Sequence, residues 1–207
     1  MGYWGRVEVG VTRYCVRDAY RRARVVRITL SPIRGGEADH LLVLSDEYMA
    51  SLYPAESNHL VSSESLRTGD AAFIGAFLST ELSTGLSTDA SDIGHRTADG
   101  RADSRVADEC VGCVAARYYR DEAYAEIKRL YVAETQRGSG LAKQLMATIE
   151  SEIVAQGIFC ARLEMGIYQP EADALYRSLG YREIQPFGDY LLDPLSQFLE
   201  KAPLVEA

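Results

Sequence analysis

The segment from Glu126 to Gln156 constrains the fold most. A strand-like run, Glu126–Val132, passes through the short turn Ala133-Glu134-Thr135-Gln136 into Arg137-Gly138-Ser139-Gly140-Leu141-Ala142, where a long amphipathic helix begins. Its apolar positions Leu141, Leu145, Met146, Ile149 and Ile153 recur at the 3.6-residue helical period, and Gly157 is the natural stop. A strand that feeds a helix through so short a turn must lay that helix across its own sheet, and the strand-like run that follows, Ile158–Met165, then lies parallel to the first. The turn also makes an anion site. A helix start leaves backbone N–H groups without partners and carries the positive end of the helix dipole. Gly138 and Gly140 let an anion approach the backbone closely, and Arg137 adds a cation. No Gly-Lys-Ser/Thr follows, so this is not a Walker P-loop. A dinucleotide fingerprint would need a third glycine and an acidic residue about 20 positions on, and both are missing.

The rest of the chain reads around that unit. Val25–Leu30 predicts a first strand. Glu37–Tyr53 predicts a helix with Leu41, Leu42, Leu44, Tyr48, Met49 and Leu52 at helical spacing, and Ser62-Ser63-Glu64-Ser65 offers caps for a short second helix. Ala71–Leu78 predicts a strand, and Cys110–Tyr119 and Tyr124–Val132 a hairpin turning at Asp121-Glu122. Beyond the long helix come the strand Ile158–Met165, a short helix Glu171–Leu179 stopped by Gly180, and two last strands, Tyr181–Gln185 and Ser196–Glu200. Between the strands at 71–78 and 110–119, residues 79–108 are rich in Ser, Thr, Asp and Gly. With hardly an apolar residue they cannot offset their ordering entropy, so a flexible insertion is expected there.

Composition narrows the function. In a chain of 207 residues, 47% hydrophobic residues can fill one core, and no apolar run approaches the roughly 20 residues that span a bilayer, so no membrane role is expected. A net charge of −8 argues against nucleic acid as a partner. The charge is uneven: residues 1–27 hold seven arginines against Glu8 and Asp18. Residues 1–24 are therefore expected to form a basic N-terminal arm, separate from a single domain over 25–203. The arm lacks the serines of a transit peptide and the apolar stretch of a secretion signal, so the cytoplasm is the default location. Cys15, Cys110, Cys113 and Cys160 make no disulfide framework. Cys110-Val-Gly-Cys113 has half-zinc spacing, but no second pair stands at ligand distance, and in a strand positions three apart point to opposite faces. No metal is expected.

The stretch Glu126–Tyr181 resembles the GCN5-related N-acetyltransferase (GNAT) family in three places. Residues 137–142 satisfy its Gln/Arg-x-x-Gly-x-Gly/Ala loop. Glu126-Ile-Lys-Arg-Leu-Tyr-Val132 reads like its fourth strand. Gln169-Pro-Glu-Ala172-Asp-Ala-Leu175-Tyr176-Arg-Ser-Leu-Gly180-Tyr181 reads like its late helix, with Gln169 for the family's Asn and Tyr181 for its Phe. The tail from Pro186 to Ser196, with the loop Tyr53–Leu60, resembles a little-characterised, mostly bacterial subgroup. The resemblance implies an α/β (α+β) fold with a mixed central sheet of about seven strands flanked by about four helices. It further implies acetyl-CoA as cosubstrate, held by Leu130, Tyr131, Val132, Arg137, Gly138, Ser139, Gly140, Leu141, Ala142, Gln169 and Tyr176.

The resemblance makes Glu126 the general base that deprotonates an amine acceptor, with Glu164 on the neighbouring strand as its rival. Tyr176 becomes the general acid for the leaving thiolate, and a backbone N–H near Leu130–Val132 the partner of the acetyl carbonyl. Lys128 and Arg129 read as solvated charges, and His59 as a loop residue that could help bind acceptor. The expected reaction is N-acetylation of a small-molecule or amino-acid-like primary amine. A coenzyme-binding regulatory module with little catalysis is the alternative, and a homodimer is compatible with the resemblance.

Overall fold

A computed structural model describes residues 24–57, 61–82 and 108–205. The arm up to residue 23, His59 and most of the expected insertion lie outside the described residues. The elements are β1 (Arg24–Pro32), α1 (Asp39–Leu52), β2 (Ala71–Leu82), β3 (Glu109–Tyr119), β4 (Tyr124–Val132), α2 (Leu141–Ala155), β5 (Ala161–Gly166), α3 (Pro170–Ser178), β6 (Arg182–Ile184) and β7 (Ser196–Lys201). The seven strands form one mixed sheet in the order β1-β2-β3-β4-β5-β7-β6. Neighbours are antiparallel except β4 and β5, which are parallel because α2 carries the chain across the sheet between them. None of the described helices is long and apolar enough to cross a membrane.

Two expectations are corrected. Among the described residues there are three α-helices rather than about four, because the stretch after Ser62 makes only a 3-10 turn at Ser65–Arg67. It has a single buried apolar side chain, Leu66, and reaches Gly69 within four residues, too little to offset the cost of helix nucleation. The strand expected to end at Leu78 continues to Leu82, because Ser79–Leu82 pair with Arg24–Arg27, so Arg24 belongs to β1 rather than to the arm.

Helix α2 covers one face of the sheet. Leu141, Leu145, Met146, Ile149 and Ile153 are all buried, as their spacing demands, and they pack with Val111, Val114, Ala116, Ala125 and Ile127 and with Tyr176 of α3. Helix α1 covers the other face through Leu41 and Leu42 against Phe73, Cys110, Cys113 and Ala115. Its Leu44 and Tyr48 are exposed, so the buried stripe is narrower than the spacing suggests. Further along that face a smaller cluster forms around Tyr124, Phe187 and Phe198. Strand β3, central and covered on both sides, is buried from Cys110 to Ala116. Its pairing with β2 slips by one residue at Val111, and this bulge brings Cys110 and Cys113 into one cluster instead of opposite faces. Burial pushes their thiols up to about 11 and about 12, which makes them inert core residues.

Candidate active site

Strands β4 and β5 pair only at Ala125↔Ala161 and Glu126↔Arg162 and then part. The gap opens into a cavity of about 740 Å³, lined at one end by residues of the α2 entry loop and at the other by Ser45, Tyr48 and Met49 of α1. The split gives access from both faces of the sheet at the point where the strands end, the usual ligand position in such folds.

At the α2 end the chain passes through the 3-10 turn Glu134–Gln136 into the two glycines, at φ +74 (Gly138) and +84 (Gly140). A Cβ at either position would meet no protein atom within 4 Å. The glycines therefore serve backbone conformation and leave the ground in front of the helix open. Lys143 and Gln144 donate to the Gly140 carbonyl, so the N–H groups of Gly140, Leu141 and Ala142 precede the helical ladder. Arg137 Nε donates to the Val132 carbonyl at 3.2 Å, its guanidinium lies over the Tyr131 ring, and Ser139 Oγ donates to the Gln136 carbonyl at 2.7 Å. The loop is thereby tied to the end of β4. Open N–H groups beside a cation suit a pyrophosphate, and the cavity beyond them suits the arm of a coenzyme.

The β4 wall holds a second device. Its register against β3 shifts between Cys113↔Tyr131 and Ala115↔Lys128, and Arg129 stands at φ +57. The bulge takes the Arg129–Leu130 backbone out of the ladder and leaves Leu130, Tyr131 and Val132 along the cavity. Arg129 is no solvated charge. Its side chain is only 7% exposed; Nε and Nη2 donate to the Val61 carbonyl at 2.8 and 2.6 Å, and Nη1 pairs with Asp46 of α1.

Tyr176 lies on the opposite wall, 7% exposed, with its ring edge-on to Tyr181. Burial, with Glu164 nearby, raises its phenol above the ordinary tyrosine value. Gln169 also lines the cavity, but its Oε1 accepts from the Gly166 N–H at 3.3 Å. Glu164 of β5 lines the cavity too and accepts from Ser196 Oγ at 2.7 Å. Beside it, the Tyr53 ring rests on Gly166, where a Cβ would come within 2.1 Å of ring atoms, and the Tyr53 hydroxyl accepts from the Tyr168 N–H.

Glu126 sits differently. It is 3% exposed and outside the cavity lining. Oε1 accepts from the Tyr190 hydroxyl at 2.6 Å and from Lys128 Nζ at 2.8 Å, and Oε2 accepts from the Tyr119 hydroxyl at 3.3 Å. Lys128, 10% exposed and hydrogen-bonded to Tyr190 as well, is likewise no solvated charge. Sequence reasoning missed Tyr190, Tyr53 and Ser196, whose contacts lie 32 to 115 residues away along the chain. The one local hint was the run of aromatic residues near Tyr190. Among the described residues no group of three or more His, Cys, Asp or Glu side chains is placed to hold a metal ion.

Comparison with known proteins points to one family. Residues 101–183 match the acetyltransferase (GNAT) domain family. Over 156 residues the sequence is 35% identical to an IAA acetyltransferase of Azospirillum brasilense, covering 75% of this chain and 84% of that protein. A Klebsiella pneumoniae protein provisionally assigned as an acyl-CoA N-acyltransferase superposes with a TM-score of 0.60 at 26% identity, over 86% of this chain and 98% of its own. The PaiA N-acetyltransferase of Thermoplasma acidophilum, solved with coenzyme A, superposes with a TM-score of 0.52 at 17% identity, over 83% and 98%.

Proposed function

The chain belongs to the GNAT acetyltransferase family, and from that premise we propose that it moves the acetyl group of acetyl-CoA onto the primary amine of a small-molecule or amino-acid-like acceptor. One observation carries the reading: a single cavity runs from the glycine-rich start of α2, past Tyr176, to Glu164 and α1. Acetyl-CoA supplies the activated thioester. The N–H groups of Gly140, Leu141 and Ala142, with Arg137, hold its pyrophosphate, and the Leu130 N–H, at the register shift in β4, faces the acetyl carbonyl as charge builds on oxygen.

The amine must lose a proton, which for a lysine-like group at pH 7 costs roughly 4–5 kcal/mol. Glu164 takes it in this reading, in preference to Glu126. Two facts support the choice: Glu164 lines the cavity, whereas Glu126 is outside it and already accepts from three donors. Glu126 then serves to hold Lys128 and Tyr190. As the C–N bond forms and the C–S bond breaks, the Tyr176 hydroxyl gives its proton to the departing sulfur. Its raised pKa keeps it protonated until then.

The test is thiol release from acetyl-CoA in the presence of amino acids, polyamines, aminoglycosides and peptides. Amine-dependent release is expected for at least one class, and tight acetyl-CoA binding without release for any acceptor would leave a binding module in place of an enzyme.

A further inference from the structure

Building on the acetyl-transfer reading, we propose that the acceptor carries a carboxylate close to its amine, with Lys128 binding the carboxylate while Glu164 receives the amine. The register places these two residues opposite each other. β4 and β5 last pair at Glu126↔Arg162, so Lys128 and Glu164 each stand two residues further on, at matching positions and on the same face, where the strands have parted. That face is the α1 side: Glu164 lies opposite Phe198 on β7, and Lys128 Nζ lies 5.0 Å from the centre of the Tyr190 ring. Both residues line the cavity. One wall therefore offers a cation and the other an anion, at a separation that starts from the ~4.8 Å between paired strands and widens with the split. This spacing suits a short zwitterion bridging the two walls.

The donor count of Lys128 points the same way. An ammonium has three N–H donors. Among the described residues Glu126 Oε1 takes one and the Tyr190 hydroxyl another, which leaves the third for a ligand. Glu126 is outside the cavity lining and Lys128 within it, so the pair turns its positive end to the acceptor. The buried Glu126 and the half-buried Tyr190 also fix the ammonium in place, so little side-chain entropy remains to be lost on binding. A second ammonium on the acceptor, as in a polyamine, would be repelled by Lys128.

The experiment compares free amino acids with their amides and with the amines that lack the carboxyl group, side chains matched, by thiol release from acetyl-CoA. The wild-type enzyme is expected to favour the acids by at least ~10-fold in kcat/KM, mostly through KM. Lys128→Gln should reduce that preference to about threefold or less, and Lys128→Arg should retain part of it. Because Lys128→Gln leaves Glu126 without its cation, the double variant Glu126→Gln/Lys128→Gln is measured beside it, with thermal unfolding as the check on folding. Equal rates with acids and amides in the wild-type enzyme, or an acid preference that survives loss of the lysine, overturn the proposal. Turnover confined to carboxylate-free amines overturns it too while acetyl transfer stands; no release with any amine overturns both.

Discussion

Arg129 gives the sharpest test of how the cavity wall is built. At φ +57 a residue with a Cβ pays roughly 1–2 kcal/mol relative to ordinary backbone. The side chain offsets that strain. Two charge-assisted bonds to the Val61 carbonyl contribute about 1.5–3 kcal/mol, and the pair with the 43% exposed Asp46 adds no more than about 1 kcal/mol after solvent screening. Arg129→Ala keeps the strain and loses the anchor, so a loss of about 2–4 kcal/mol is expected. Arg129→Gly loses the same contacts but releases the strain, at a cost of roughly 0.5–1 kcal/mol in unfolded-chain entropy. The glycine variant should therefore be the more stable of the two by up to about 1.5 kcal/mol, the reverse of the usual order within a strand. Urea unfolding of both variants, with matched m-values, measures the difference. Turnover should not follow stability: without the anchor the Leu130 N–H loses its fixed aim, so both variants should turn over slowly. An alanine variant as stable as the glycine variant, or more so, would refute the account of strain held by the side chain.

Tyr176→Phe should lower kcat by about 10²-fold while acetyl-CoA affinity, read by calorimetry, stays within about threefold, since only the proton donor is removed. Gly140→Ala meets no protein atom but is strained at φ +84, and in the acetyl-transfer reading its methyl group would crowd the bound pyrophosphate. A stability loss of about 1 kcal/mol and at least ~10-fold weaker acetyl-CoA binding are expected. Glu152 is buried, its Oε2 has no hydrogen-bond partner among the described residues, and burial raises its pKa above the ordinary 4.5. A carboxyl whose folded pKa is raised destabilises the fold above that pKa, and the penalty fades as pH falls toward 4.5. Glu152→Gln should therefore stabilise the protein at pH 7.5, by on the order of 1 kcal/mol, and by less at pH 5. A gain that is the same at both values would contradict this.

The elements were legible wherever their cause is local. The α2 stripe and the stops at Gly157 and Gly180 depend on residues within a turn or two, and the structure places them as the pattern demands. The loop read as an anion site is equally local: its glycines, helix start and arginine are contiguous, so they could be read together. Charge placement is not local. Glu126, Lys128 and Arg129 look like a solvated charged run because their partners lie elsewhere in the sequence: Tyr190 for the first two, and Asp46 and Val61 for Arg129. The bulges in β3 and β4 were hidden for a related reason. A strand read alone keeps period two, and only the register of its neighbour shows where an extra residue turns Cys113 toward Cys110 or lifts Leu130 out of the ladder. The choice between Glu126 and Glu164 rests on the same kind of fact. Both carboxylates stand on adjacent parallel strands, and what separates them is that pairing ends at Glu126↔Arg162. The residue at the last pair is sealed among its partners, whereas the one two positions beyond the last paired residue of β5 meets the cavity. The strand split thus opens the cavity and also decides which of the two carboxylates lines it.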